Sequence, residues 1–400
     1  MKDSYARDSL NSPRRMSRFR LLVLDAPCTE RYARCGERTG LITPSYSIES
    51  IDDCDILLVQ IGGITMAETQ AKYHHLIPQT YMSAWANGSG TLKVIFINNP
   101  NEVVERNKEK IAGVNDFYSI KAGMPLCTQR DADVIFASVS AFRVELDGIV
   151  LSDSLALNSK YYDFDRWCIT RSDGTPVSKK RLKHEIEQVK IKDIEENWSK
   201  KYENGWDEEV KRITQAVCTS GVSEIPELDK EYLIEFFTAL DWRGFHSNQQ
   251  FEKTLQMLTK DIFADIDIPE EERILPCLKT AYDEMRHYLL LKYYRSFLNE
   301  TGVIYVDAMA NLQHTSFHFL IADGSTQFLT SDTPAFVNKR EDGKLVGLLP
   351  ITPNILMAKG RCSDGEGKYY ISHITDAAVQ KYNNAIYANA AEFVILPNIT

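Results

Sequence analysis

No stretch of this 400-residue sequence contains the roughly 18 to 20 consecutive apolar residues that a membrane-spanning helix needs. The longest candidate, residues 55–65, is too short and contains Gly62 and Gly63. The N-terminus carries arginines but lacks an apolar stretch followed by a small-residue cleavage site, which a signal peptide requires. These absences predict no membrane partner and a cytoplasmic location.

The cysteines lack the spacing of a metal site or a redox motif. The eight Cys include no C-x-x-C pair, and no Cys/His cluster has the short spacing of a zinc site. Disulfides are rare in the reducing cytosol. We therefore interpret all eight cysteines as reduced thiols.

An excess of basic residues is also lacking. The formal net charge of −10 argues against the broad basic surface with which proteins bind nucleic-acid phosphates, although it leaves room for a local basic patch. Hydrophobic residues make up 44% and charged residues 26%, which is ordinary for a globular chain with a sizeable core. The sequence contains no Walker loop, no G-x-G-x-x-G and no kinase signature.

The first 65 residues differ in composition from the rest. They hold eight Arg, the single lysine Lys2 and no His, whereas residues 66–400 hold thirteen Arg, twenty-four Lys and all eight His. Up to about residue 50 they show neither a 3.6-residue nor a 2-residue hydrophobic period. Residues 1–65 are therefore either an N-terminal extension, which a disordered chain would fit, or sequence upstream of a true start at Met66.

The middle of the chain has the period of amphipathic helices. Apolar residues recur at steps of three and four from Ile191 to Val217, with Trp198 and Trp206 on the same stripe. Further helices are predicted over 229–242 and 251–263, followed by a long helical stretch over 269–300 that Pro276 bends or breaks. The aromatic residues of the stripe are predicted to lie in the core.

After Gly302 the hydrophobic period changes to two. Strands are predicted at 303–306, 316–322 and 325–330, and Asp323-Gly324 predicts a hairpin between the last two. A helix at 376–391 and a closing strand at 392–396 follow. Because helices and strands are segregated, the sequence predicts an α+β fold, with a helical middle region packed with a mostly antiparallel C-terminal sheet.

Three sequence elements carry a family resemblance. They are H-H-L-I-P-Q-T-Y at 74–81, F-F-T-A-L-D-W-R at 236–243 and F-L-T-S-D-T-P at 328–334. Together these elements resemble the domain-of-unknown-function family 4238, and the similarity runs from about residue 72 to 396. The resemblance implies a shared fold over residues 66–400 and brings no established activity.

His74 and His75 are the most suggestive pair of candidate site residues. Neutral imidazoles bind metals or transfer protons near neutral pH. Adjacent side chains diverge on a helix and alternate on a strand, so the two are not expected to hold one ion. One His is expected in a site and the other is expected to be packed or hydrogen-bonded. Alternatively, a buried His before Pro78 caps the following helix.

Arg243 and Asp332 are the candidate charged residues. Arg243 is in phase with Phe236 and Leu240 on an apolar face, where a buried guanidinium needs a partner. That partner is a substrate phosphate or carboxylate, or a protein carboxylate such as Asp332, unless Arg243 ends the helix and reaches solvent. Asp332 is placed to bind a metal or orient a His, and equally to form an Asx-turn.

Two functional hypotheses follow from these residues. In the first, His74 or His75, Gln79, Tyr81, Arg243, Asp332 and Asn384 assemble into the catalytic site of a hydrolase acting on a phosphodiester or nucleotide, as a nuclease does. Its cofactor would be a divalent metal held by His75 and Asp332, and its partner a small phosphate-containing ligand or nucleic acid. In the second, the same residues form a buried structural network in a non-catalytic binding or interaction module.

The composition break generates a prediction about the N-terminal segment. A chain that begins at Met66 should keep its melting temperature within a few degrees of that of the full chain. Thermal melts of the two purified chains check this. Loss of soluble expression on truncation would contradict it.

Overall fold

A computed structural model describes residues 73–219, 228–243, 248–263, 266–340, 342–362 and 367–398. The proposed extension at 1–65 lies outside these residues. Among them, no helix combines the length and the apolar character needed to cross a membrane.

The chain divides into two compact units. One comprises Met1–Tyr73 with Leu255–His287, and the other His74–Thr254 with Tyr288–Thr400. In the described part of the first unit, an isolated bridge joins Asp267 to Thr280, and the Glu284 carboxylate accepts the Ile274 amide N–H at 2.8 Å. The second unit holds all three family-like elements.

The described helices are α1 Gln79–Met82, α2 Gln129–Ile135, α3 Ser154–Ser159, α4 Lys179–Gln188, α5 Asp193–Trp198, α6 Asn204–Thr219, α7 Lys230–Trp242, α8 Gln249–Phe263, α9 Ala281–Leu298, α10 Gly302–Met309 and α11 Asp376–Asn389. Local capping supports two of them: Thr128 and Asp131 form a capping box before α2, and Asp229 accepts the Tyr232 N–H at the start of α7.

The predicted aromatic stripe runs along α5, one π-helical turn at Ser199–Glu203, and α6. Trp198 is 0% exposed and Trp206 is 1% exposed, so the prediction that both are core residues is confirmed. The Trp206 ring stacks on Phe236 of α7, with 3.8 Å between the ring centroids. The stripe therefore packs Trp206 against α7, whereas the Trp198 ring packs against Tyr294 and Phe297 of α9.

The strands form four sheets within the described residues. The strands are β1 Tyr73–His75, β2 Thr91–Phe96, β3 Val103–Asn107, β4 Gly113–Asn115, β5 Arg143–Leu146, β6 Ile149–Val150, β7 Cys168–Thr170, β8 Thr315–Ala322, β9 Thr330–Ser331, β10 Phe336–Lys339, β11 Leu345–Thr352, β12 Ile355–Arg361, β13 Tyr369–Ile374 and β14 Phe393–Leu396. The strand orders in the four sheets are β3-β2-β14-β9, β10-β11-β12-β8-β13, β6-β5-β7 and β1-β4.

The two faces of the five-stranded sheet pack against different helices. One face forms an apolar cluster with α11, in which Leu348 and Leu356 meet Val379 and Ile386. On the other face, the Phe237 ring of α7 lies over Gly347, where an added Cβ would come within 2.6 Å of the ring. Only β13 pairs in parallel in this sheet, so the predicted α+β class with a mostly antiparallel C-terminal sheet is confirmed.

The predicted hairpin at Asp323-Gly324 is wrong. β8 pairs with β12 and β13, and β9 pairs with β14 in another sheet. The segment after Gly324 instead passes the start of α11, where the Asp376 carboxylate accepts the Thr326 N–H at 2.7 Å. A tertiary contact thus overrides the local turn signal.

The helical stretch predicted over 269–300 is broken around Pro276, as predicted: a 3-10 turn at Glu270–Glu272 precedes Pro276, and α9 begins after it at Ala281. One further prediction from local pattern is wrong. Residues 303–306, predicted as a strand, lie in α10, where Ile304 is buried and the Tyr305 ring packs against Phe297. Strand propensity depends on context, and here packing of α10 decides the conformation.

The burial of the stripe generates a prediction about stability. Trp198→Ala should lower the free energy of unfolding by about 3 to 5 kcal/mol, because it leaves a cavity among packed rings. Tyr370→Ala is the control. Because Tyr370 is 41% exposed, this change should lower the free energy of unfolding far less. Urea unfolding curves measure both. A loss below roughly 1 kcal/mol for Trp198→Ala would contradict burial of this face.

Candidate functional site

The centre of the candidate site is the guanidinium of Arg243. Arg243 directly follows α7, and its side chain is only 2% exposed. Its Nε donates to the Tyr118 hydroxyl at 3.1 Å and its Nη2 donates to the His75 carbonyl oxygen at 2.7 Å. Its Nη1 donates to the carboxylate of Glu203. Every nitrogen of the group is thus engaged by the protein.

Aromatic rings and a second carboxylate complete the surroundings of Arg243. Its Cζ lies 5.5 Å from the Tyr118 ring centroid and 5.2 Å from that of Trp198, within the range of cation–π attraction. Glu195 Oε2 lies 3.8 Å from Nη2. Burial alone lowers the pKa of Arg243, but Glu203, Tyr118 and Glu195 outweigh it and raise the pKa above its ordinary value. Arg243 is therefore charged.

Glu195 is the most perturbed carboxyl of this group. Burial raises its pKa to about 7, against the opposing charge of Arg243, and Glu203 raises it further. Its side chain is 18% exposed, and within the described residues its Oε2 has no hydrogen-bond partner. Glu195 therefore changes protonation near neutral pH.

The two histidines of β1 have different surroundings, as strand alternation predicts. The His74 side chain is fully buried, accepts the Tyr118 N–H at Nδ1 over 2.9 Å, and stacks on the Tyr118 ring. The His75 ring is half-buried, with Nε2 placed 3.1 Å from the Glu109 carbonyl oxygen and Nδ1 placed 3.3 Å from the amide nitrogen of Gln79. Burial lowers the pKa of His75, which favours the neutral imidazole.

The first family-like element also reaches the third. The buried Tyr81 hydroxyl donates to the Pro350 carbonyl oxygen at 2.7 Å and lies 2.8 Å from Thr330 Oγ1. The indole N–H of Trp85 donates to the Phe328 carbonyl oxygen at 3.0 Å. These bonds join segments separated by about 250 positions in the sequence.

Asp332 accepts hydrogen bonds from the backbone of the segment between α11 and β14. Its carboxylate accepts the Ala391 N–H at 3.0 Å and the Glu392 N–H at 2.7 Å. These bonds hold the end of β9 beside the segment between α11 and β14. Arg243 takes its carboxylate contacts from Glu203 and Glu195 instead.

The predicted Asn384 is exposed on α11 and accepts a hydrogen bond from Gln380. Its neighbour Asn383 is buried: Oδ1 accepts the Leu329 N–H at 3.0 Å and Nδ2 donates to the Gln327 carbonyl oxygen at 2.8 Å. Asn383 lies four residues after Val379 and three before Ile386, which are both buried. This spacing places Asn383 on the buried face of the helix, and it was the feature of the sequence that could have identified Asn383.

All three elements lie in the region that a family profile matches, residues 73–398. The family is described as a protein of unknown function, DUF4238. This chain belongs to the DUF4238 family. Searches of curated proteins and of solved structures found no match.

In this DUF4238 chain, the structure brings some predicted site residues together and separates others. His74, the His75 carbonyl and Arg243 meet around Tyr118, and Gln79 contacts the His75 ring. Tyr81, Asp332 and Asn384 have other partners. Sequence reasoning missed three members of the cluster: Tyr118, Glu195 and Glu203.

The proposed metal ligands also have protein partners. The His75 ring contacts the Glu109 carbonyl and Gln79, while the Asp332 carboxylate accepts two backbone N–H groups. Across the described ranges, no group of three or more His, Cys, Asp or Glu side chains is arranged to hold a metal ion. A metal held by His75 and Asp332 therefore draws no support from the arrangement of these side chains.

Glu195 generates a prediction about pH. Its pKa is about 7 in the folded chain and about 4.3 in an unfolded one, so the folded state binds more protons between these values. Its contribution to stability is present below the unfolded pKa and is lost as the pH rises through about 7. Between about pH 5 and about pH 8, the free energy of unfolding of Glu195→Gln should rise relative to that of the wild type by on the order of 2 to 3 kcal/mol.

Urea unfolding across this pH range measures the difference between the two curves. Glu196→Gln is the matched control, because the Glu196 side chain is 47% exposed and adjacent in sequence. Wild-type and Glu195→Gln curves that stay parallel over the whole range would show that Glu195 titrates normally.

Proposed function

We propose that this DUF4238 chain is a non-catalytic binding or interaction module in which the polar residues of the three family elements form a structural network. The observation that carries this proposal is the state of Arg243. Its side chain is 2% exposed and all three guanidinium nitrogens donate to protein groups. An arginine held in this way has little capacity to clamp a substrate anion.

The partners of the other elements support the same function. Tyr81 and Trp85 donate to backbone carbonyl groups, and Asp332 accepts from backbone N–H groups. The carbonyl groups that Tyr81 and Trp85 satisfy are buried, and an unsatisfied buried group costs about 1 to 3 kcal/mol. These residues therefore act by fixing distant segments of the chain to one another.

A hydrolase acting on a phosphodiester or nucleotide is the second candidate, and one observation favours it. Glu195 has a pKa of about 7 and partial access to solvent, which suits a general acid or base at neutral pH. In that mechanism the neutral His75 ring would be the second proton-transfer group and Arg243 a positioning residue. The two carboxylates at Arg243 disfavour a phosphate ligand or nucleic acid there, because they repel anions.

The location that we propose is the cytosol. Cys127, Cys168 and Cys218 are free cysteines, and burial raises the pKa of the Cys127 thiol to about 12. A thiol with such a pKa is protonated and unreactive. These cysteines suit a reducing compartment.

A paired measurement on variants tests the proposal. Arg243→Ala should lower the free energy of unfolding by about 3 to 5 kcal/mol, because it leaves the Glu203 carboxylate without its cation. Arg181→Ala is the matched control: the Arg181 side chain is 81% exposed, and its ion pair with Glu185 should be worth less than about 1 kcal/mol. Denaturant unfolding measures both changes.

Activity assays then separate the two candidates. The full chain is incubated with bis(p-nitrophenyl) phosphate and with nucleoside triphosphates, with and without Mg²⁺ or Mn²⁺. We expect no turnover above that of a heat-denatured control. Turnover that disappears in His75→Ala or Glu195→Gln, while melting curves show that both variants are folded at the assay temperature, would overturn the module and establish the hydrolase.

A further inference from the structure

Lys359 has unusual surroundings for a lysine. It lies on β12, and its cross-strand partners are Gly347 of β11 and Phe317 of β8. Its Nζ is 4.2 Å from the centroid of the Phe237 ring of α7. Within the part of the chain that the structure describes, Nζ makes no hydrogen bond and has no carboxylate within ion-pair distance.

Two other half-buried lysines, Lys190 and Lys201, are paired with carboxylates. Lys190 Nζ lies 2.6 Å from Asp116, and Lys201 Nζ lies 2.7 Å from Glu300 and 3.3 Å from Glu235. An ammonium group withdrawn from water without such a partner is costly, so the neutral amine is favoured. Burial lowers the pKa of Lys359 to about 8, and Asp241 opposes this shift.

Lys359 is partly exposed, so solvent reaches its side chain. Val337, Gly347 and Lys359 are consecutive cross-strand partners, so they lie in one row on the same face. Phe237 lies over Gly347 in the middle of this row and provides an apolar surface beside the amine.

We propose that Lys359 is a covalent ligand-binding residue that forms an imine with a small aldehyde or ketone, whose apolar part packs against Phe237. A neutral lysine amine in a desolvated setting is the usual nucleophile for carbonyl compounds. This site is separate from the Arg243 network and does not depend on the function proposed for that network.

The reaction balances without an oxidant or a reductant. The Nζ lone pair attacks the carbonyl carbon, the new C–N bond forms, and the carbonyl oxygen gains a proton as nitrogen loses one. The hydroxyl group of this carbinolamine is then protonated and leaves as water, while the C=N bond forms. The last proton on nitrogen passes to solvent. Amine and carbonyl compound therefore give imine and water.

Asp241 acts on this site as a positioning residue through its charge. Burial raises the pKa of Asp241 to about 6, although a 2.7 Å hydrogen bond from Asn248 and the charge of Lys359 both favour its ionised form. Above about pH 6 its carboxylate therefore stabilises the protonated form of the Lys359 amine. Removing this charge should lower the pKa of the amine further.

Reductive trapping tests the proposal on the full chain. The protein is treated with limiting benzaldehyde and sodium cyanoborohydride from about pH 6 to about pH 10, and labelled lysines are mapped by peptide mass spectrometry. At about pH 7.5 we expect Lys359 to be labelled about tenfold faster than exposed lysines. Lys200 and Lys211, with side chains 70% and 71% exposed, are the matched controls.

The pH dependence gives the second readout. Labelling of Lys359 should reach half its maximum near pH 8, below the midpoints of the control lysines, and Asp241→Asn should move that midpoint to lower pH. Lys359→Met should remove this label and leave the others. Labelling of Lys359 no faster than of Lys200 and Lys211, or with the same midpoint as theirs, would overturn the proposal. The peptide map of labelled lysines in the wild-type protein tests the proposal even if a variant fails to fold.

Discussion

The interior position of Arg243 is the constraint on which the surrounding structure depends. A buried guanidinium must keep its charge and find acceptors, because an unpaired one is far too costly. The chain meets this demand with a carboxylate, a phenol and a backbone carbonyl from three different segments. Each contact fixes one segment: β1 through His75, the residues after β4 through Tyr118, and the π-helical turn through Glu203. The family's first and second elements meet because Arg243 of the second element needs the His75 carbonyl oxygen of the first as an acceptor.

The same principle explains the third element. Tyr81, Trp85, Asn383 and Asp332 each place a side-chain donor or acceptor against a buried or turning stretch of backbone. In a low-dielectric interior such bonds are strong, and the loss of one partner strands the other. The polar residues of this DUF4238 chain thus hold irregular connections in place, while apolar side chains on α5, α6, α7, α9 and α11 are buried in the core.

What could be predicted from sequence was local, and what could not be predicted depends on distant contacts. The stripe through Trp198 and Trp206, helix α7 and the final helix and strand follow from period and turn residues. The hairpin at Asp323-Gly324 failed because Asp376 holds the following segment. For the candidate site, His74, His75 and Arg243 could be singled out as residue types that need partners. Glu203 and Tyr118 could not be singled out, because the sequence around each of them gives no sign of its contact with Arg243, which lies far away in the sequence.

The pairing of β2 with β14 has a consequence for biosynthesis. The ribosome completes Thr91–Phe96 long before it reaches Phe393–Leu396, yet β14 is one of the two neighbours of β2 in its sheet. Until Phe393–Leu396 emerges, β2 and its partner β3 present an open edge with buried-type residues such as Leu92 and Val94. Such edges invite mispairing between nascent chains. The sheet that contains β2 is therefore completed only after the long stretch of chain between β2 and β14 has been translated, and the yield of this protein in cells should depend on chaperones that shield strand edges.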